Sequence, residues 1–274
     1  MLYNRVFSEV RKVNAISDFP QTLVIHQLIV SYQKNNDMNF AEETVAAAVT
    51  ENIRTADVFK KHGIDFCCGG NVSLKSVCEK KNLDMDVILA ELGQVGVSRD
   101  SSGDQSWDDA GLLIDHILER HHSYVAEAIP ILLQYSDKVA KVHGEHATEV
   151  VEINRLFQAV ASELSSHMQK EEMVLFPLIK ELHSAKESGE NFSEHHCGTV
   201  ANPIRMMEME HENAGDVLKE IRELSNDFSP PEWACNTYRA LYAKLEEFET
   251  DLHIHIHLEN NILHPLALKL ENKS

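Results

Sequence analysis

The chain has 274 residues, 43% of them hydrophobic and 25% charged, which is enough to bury one large core or two ordinary ones and too apolar for a disordered chain. Lys and Arg number 25 against 44 Asp and Glu, giving a formal net charge of −19 that repels phosphates and argues against nucleic acid or an anionic membrane surface as partner. The five cysteines are odd in number and irregularly spaced, unlike a secreted disulfide framework. Charged residues interrupt every apolar stretch, so no membrane span is expected. The first residues hold no apolar run of secretory-signal length, so a cytoplasmic, reducing setting is expected.

In chain order, residues 1–37 read as an appendage with one short amphipathic helix near Thr22–Tyr32. Residues 38–92 read as a small helical domain. Thr55–His62 is amphipathic and stops at Gly63, Ile64–Gly70 is a turn bearing Cys67 and Cys68, and two short helices follow near Ser73–Lys81 and Asp84–Leu92. Residues 93–106 hold three glycines and four serines and read as a linker. From 107 to 274 the pattern is mostly long helices, with no convincing strand. A first helix starts at a capping-box-like Ser106–Asp109 and carries Leu113, Ile117, Ile129 and Leu133 on one face. A second spans Glu145–Leu182, a loop covers Ser184–Asn202, a third spans Pro203–Leu224, and a fourth runs from Ser229-Pro230-Pro231 to near Leu270. Four long amphipathic helices with short or moderate connections predict an antiparallel four-helix bundle.

Two segments repeat. His167-Met168-Gln169-Lys170-Glu171 is followed by Pro177, and His255-Ile256-His257-Leu258-Glu259 by Pro265, at the same interval. Residues four apart share a helix face, so each His–Glu pair points at one spot. The other two helices carry acid–histidine dipeptides, Asp115-His116 and Glu210-His211. His116, His167, Glu171, His211, His255 and Glu259 would then converge as four imidazoles and two carboxylates. Such a set suits two iron ions, with manganese or zinc as substitutes, and leaves positions open for a bridging oxygen species or a small diatomic ligand. A single such motif would read as ordinary polar surface; two copies, with partner histidines, favour metal, because burying these groups without it is costly. A competing set of the ferritin type takes Glu119–His122 and Glu208–His211 with lone Glu171 and Glu259, but leaves His116, His167 and His255 unexplained.

The motifs Asp65-Phe66-Cys67-Cys68-Gly69-Gly70, Ile114-Asp115-His116-Ile117, Ser165–Glu172, Glu208–His211 and His255–Asn261, in this order, resemble the iron–sulfur cluster repair di-iron proteins, the repair-of-iron-centres family. The resemblance covers about residue 40 to the end. It implies an all-α protein, a hemerythrin-like bundle preceded by a small cysteine-bearing helical domain. It also implies a non-haem di-iron centre on the six residues above, open to an oxo bridge, and repair of iron–sulfur clusters damaged by nitric oxide or peroxide, through supply of iron. The partners implied are damaged iron–sulfur proteins, nitric oxide or oxygen as small ligands, and a second copy of the chain. By the same resemblance Glu163 and Glu210 are candidates for supporting or iron-release roles, and Cys67 and Cys68 for a thiol site. Alternative functions at the same centre are nitric oxide or peroxide reduction and oxygen or nitric oxide sensing.

His257 and His264 fall where no family ligand is expected, and His257 should point away from the face of His255. Cys78 and Cys235 read as core thiols, Met206, Met207 and Met209 as packing residues, and His195-His196-Cys197 as a solvated loop.

Overall fold

The computed structural model describes residues 41–97, 107–189 and 198–271. The appendage 1–37, its expected helix and the His195-His196-Cys197 loop lie outside these residues. Among the described residues there is no strand, and no helix is long and apolar enough to cross a membrane.

Four short helices form the N-terminal unit: α1 (Val45–Glu51), α2 (Thr55–Lys61), α3 (Leu74–Lys81) and α4 (Met85–Val97). Their ends follow local chemistry. Thr44 caps α1 by accepting from the Ala47 amide, and Ser73 caps α3 by accepting from Ser76. Lys60 and Lys61 sit in the last turn of α2, against its negative pole, and Gly63 then leaves the helix at φ +62°. α4 continues to Val97 instead of stopping at Leu92. Ile88, Leu89 and Leu92 are buried, and Gly93 weakens the following turn by only about 1 kcal/mol, too little to end the helix. The first five residues of the expected linker are thus helical, and the remainder, 98–106, lies outside the described residues.

The bundle follows as four rods. The first joins α5 (Ala110–His116), a π-helical turn π1 (Ile117–His122) and α6 (Ser123–His143). The second joins α7 (Glu149–Lys170), π2 (Glu171–Leu175) and α8 (Phe176–Ser188). The third is α9 (Ala201–Leu224), and the fourth joins α10 (Asn236–Leu258), π3 (Glu259–Leu263) and α11 (His264–Glu271). α6 packs between α7 and α10, and α9 closes the square against both. On α6 the buried positions Val125, Ala128, Ile129, Leu132, Ser136 and Val139 keep helical spacing, and Pro130 is carried on the solvent face.

Three details depart from the sequence reading. The N-cap of the first rod is Asp109, which accepts from the Leu112 amide. The fourth rod starts at Asn236, because the chain first turns through left-handed Asn226, Asp227 and Phe228, pinned by the Arg222 guanidinium over the Phe228 ring at 4.7 Å, and Ser229–Cys235 is not helical. Cys235 therefore precedes the first helical turn and is exposed, whereas Cys78 is buried as expected. Of the three methionines on α9 only Met207 is buried; Met206 and Met209 face solvent.

The apolar core is divided. One cluster runs from the N-terminal unit (Val49, Phe59, Leu74, Leu92) into the bundle (Leu132, Phe157, Leu245, Phe248). The other fills the opposite end, with Leu113, Ile117, Phe176, Ile204 and Leu263. Between them lies a buried polar layer. Phe248, fully buried with its ring 5.6 Å from that of Phe157, anchors the first cluster. Phe248→Ala is expected to cost about 3–5 kcal/mol in urea unfolding at fixed metal load; a loss below about 1 kcal/mol would contradict this packing.

Candidate metal centre

The polar layer is built where three rods widen. The amide of Ser123 reaches the carbonyl of Leu118, that of Phe176 reaches Glu171, and that of His264 reaches Glu259, each five residues back. Such π turns are rare and cluster at functional sites. Pro177 and Pro265 supply a local cause for two of them. A proline ring clashes with the carbonyl four residues earlier, and a widened turn relieves the clash. Glu171 and Glu259 are the first residues of these turns and are completely buried.

Two overlapping groups form. His122, Glu171, His255 and Glu259 bring ligand atoms within 4.8 Å of one another, and so do His167, Glu171, His211 and Glu259. Both carboxylates belong to both groups. All four rings present Nε2 inward. His122 Nε2 is 3.4 Å and His167 Nε2 3.2 Å from the Glu171 carboxylate, while His255 Nε2 and His211 Nε2 are each 3.1 Å from that of Glu259. His211 and His167 meet Nε2 to Nε2 at 2.9 Å. The outward nitrogens of three rings are anchored: His122 Nδ1–H donates to Glu172, His167 Nδ1–H to Glu210 and His211 Nδ1–H to Asn260, each at 2.8 Å. Such bonds fix tautomer and ring orientation and leave Nε2 free to ligate. The fourth ring, His255, stacks on His121 at 5.6 Å and 12°, and Asp251 holds His121 Nδ1 at 3.1 Å.

The electrostatics fit cations. Burial and mutual repulsion push the Glu171 carboxyl up, yet contacts to His122 and His167 leave it below its ordinary value. Burial likewise opposes ionisation of Glu259, and the neighbouring His255 and His211 hold it well below the usual carboxylate range. Burial works against the charged His167 ring, but Glu171, Glu259 and Glu210 raise it to about 9. Even so, both Glu171 oxygens, Glu259 Oε2 and His122 Nε2 lack hydrogen-bond partners. Buried acceptors of this kind, converging as a four-nitrogen, two-carboxylate set, fit first-row transition-metal cations, which these six residues would hold.

Of the six residues expected from sequence, the structure gathers five: His167, Glu171, His211, His255 and Glu259. His116 stands apart, half-exposed with its ring 4.7 Å from Trp107, and His122 takes its place. The six-residue offset is about 9 Å along a helix. Core positions on this rod run Ile114, Ile117, His121, His122 and Val125, which leaves His116 at the margin. The ferritin-type set contained His122 but attached it to exposed carboxylates, since Glu119 and Glu208 both face solvent. Glu210 supports His167 and also pairs with Lys170. Glu163 is exposed on α7, and none of the hydrogen bonds holding the four rings ends on it.

Cys67 is buried and Cys68 half-buried, with sulfurs 3.9 Å apart and no disulfide. The Asp65 carboxylate accepts from the amides of Cys67, Cys68 and Gly69 and so shapes the turn. A Cβ on Gly70 would lie 2.5 Å from the Phe66 carbonyl, so only glycine fits there. Contact with the Cys68 thiol, burial and the charge of Asp65 push the Cys67 thiol well above the usual range; Cys68 is the less buried sulfur of the pair. The turn is seated on the bundle: Asn261 donates to the Cys67 carbonyl at 3.0 Å, and the His257 ring approaches the Phe66 carbonyl at 3.2 Å and Thr50 Oγ1 at 3.3 Å. His257 thus faces the N-terminal unit and not the polar layer.

A helical bundle whose mid-layer joins two carboxylates to four imidazoles defines a hemerythrin-type cation-binding protein. Residues 113–267 match the hemerythrin HHE cation binding domain, and residues 41–95 match a domain of unknown function (DUF542). The iron-sulfur cluster repair protein YtfE of Yersinia pestis (strain Pestoides F) is 38% identical over 234 residues, covering 85% of this chain and 100% of the relative. YtfE proteins of Yersinia pseudotuberculosis serotype IB (strain PB1/+) and serotype O:3 (strain YPIII) are 37% identical over the same shares. The chain belongs to the family of these iron-sulfur cluster repair proteins.

His122→Ala is expected to lower bound iron by about half, measured by metal analysis of protein purified without oxygen. His116→Ala should leave the load unchanged. The reverse pattern would restore the sequence-based ligand set.

Proposed function

We propose that this chain holds a non-haem di-iron centre on His122, His167, Glu171, His211, His255 and Glu259, and that it repairs iron–sulfur clusters damaged by nitrosative or oxidative stress. Supply of iron is the step we assign to it. The observation that carries this reading is the pair of fully buried carboxylates common to both four-residue groups. When bound, iron there supplies exchangeable metal for a damaged cluster and a place for nitric oxide to bind.

The protein residues suit a centre that loses its cations and survives. With His167 raised to about 9, its ring is protonated at neutral pH in the metal-free centre and neutralises the carboxylates beside it. Glu210, at the His167 ring and paired with Lys170, steadies that proton-bearing state. Cys68, the accessible sulfur of the vicinal pair, is the candidate for handing metal or nitric oxide to a client. A cytoplasmic setting, damaged iron–sulfur proteins as partners and a homodimeric assembly belong to the same proposal.

The test is reactivation of a dehydratase whose iron–sulfur cluster has been damaged with nitric oxide. Iron-loaded protein is expected to restore activity while losing iron, and Glu171→Ala protein is expected to restore none. Catalytic consumption of nitric oxide or peroxide with an electron donor, no iron loss and no reactivation would contradict the proposal and favour a reductase.

A further inference from the structure

The segments His167–Pro177 and His255–Pro265 share their His, Glu, Leu and Pro positions, and one of the positions at which they differ is buried beside the centre in both. In the first segment the residue five beyond Glu171 is Phe176, which is buried with its ring 5.5 Å from the His122 ring. In the second segment the residue five beyond Glu259 is His264, also buried, with its ring parallel to the His211 ring at 6.2 Å and 7°. An apolar ring fills this position in one half, so packing alone does not require a histidine in the other.

His264 is 1% exposed, and neither of its ring nitrogens has a hydrogen-bond partner. A polar group buried in this state is costly, and an imidazole doubly so. Its nearest charged neighbour is Glu208 on α9, whose Oε1 lies 3.7 Å from Nδ1, too far for a hydrogen bond. The Glu208 side chain is 47% exposed and so reaches from solvent to the buried ring. A divalent cation about 2.1 Å from each atom spans a gap of this size. The pair therefore has an outer, hydrated ligand and an inner, desolvated one, and the inner ring lies against His211 of the centre.

We propose that Glu208 and His264 form an accessory divalent-cation site beside the dinuclear centre, through which iron passes between solvent and His211. The inference rests on the di-iron reading but not on the repair of any client. The site is a two-residue set completed by water, so it holds its cation weakly, as a transit position must.

The test uses full-length protein in two experiments. In the first, metal-free protein is titrated with Mn2+ alone and followed by electron paramagnetic resonance. The wild type is expected to take a third, weak ion after two tight ones. His264→Phe, which copies the first hairpin, and Glu208→Gln, a change at an exposed position, should take only two. In the second, the iron-loaded proteins are mixed with a ferrous chelator. Both variants should keep the iron load and absorption spectrum of the wild type but release iron about tenfold more slowly. A third ion retained in both variants, or release at the wild-type rate, would overturn the proposal. Glu208→Gln keeps the test decisive if His264→Phe folds poorly. A protein that releases iron as expected but fails to reactivate a damaged enzyme would refute the repair function and leave this site standing.

Discussion

Two carboxylates buried without access to water, close enough to contribute to the same pair of four-residue groups, are the constraint on which the bundle turns. Their repulsion must be balanced by positive charge in the same layer, from imidazolium or from metal. Four imidazoles on four rods deliver that balance, and each rod is thereby held at one depth. The division of the apolar core follows from it: neither cluster can extend through the layer, so the bundle is two hydrophobic ends joined by an electrostatic middle.

The same layer explains the backbone. A carboxylate at the first residue of a π turn projects from a rod that is locally wider, and the turn shifts the face presented by everything beyond it. The prolines that follow both glutamates make that widening less costly than a regular turn. These π turns set both carboxylates in the buried layer, and burial on either side offsets their cost. The N-terminal unit shares a core with one end of the bundle and seats its cysteine turn on π3. Adjacent residues divide the work there: Asn260 accepts from His211 and Asn261 donates to the Cys67 carbonyl. The metal layer and the thiol turn are thus tied to the same turn of helix.

Much of this was legible in the sequence. Helical periodicity marked the four rods, and the repeated His–Glu spacing with its trailing proline marked two rods as ligand donors. Local rules placed a helix start near Ser73 and the stop at Gly63. The misreadings have local causes. Matching Asp115-His116 with Glu210-His211 chose a histidine by dipeptide likeness, whereas position on the rod is set by which neighbours are apolar, and those select His122. Cys235 was placed in a core because the fourth rod was started at Ser229, although the preceding residues turn left-handed and delay the helix. The exchange of Phe176 for His264 was visible in the aligned repeats, but only burial and the missing partners give it meaning.

The central proposal is that Glu171 and Glu259 serve one di-iron centre. The most direct measurement is X-ray absorption at the iron edge on protein loaded and kept without oxygen. The account predicts mixed nitrogen and oxygen ligation and an iron scatterer at about 3.5–4 Å from its neighbour. A spectrum of isolated iron with no second metal in that range, at full load, would contradict it.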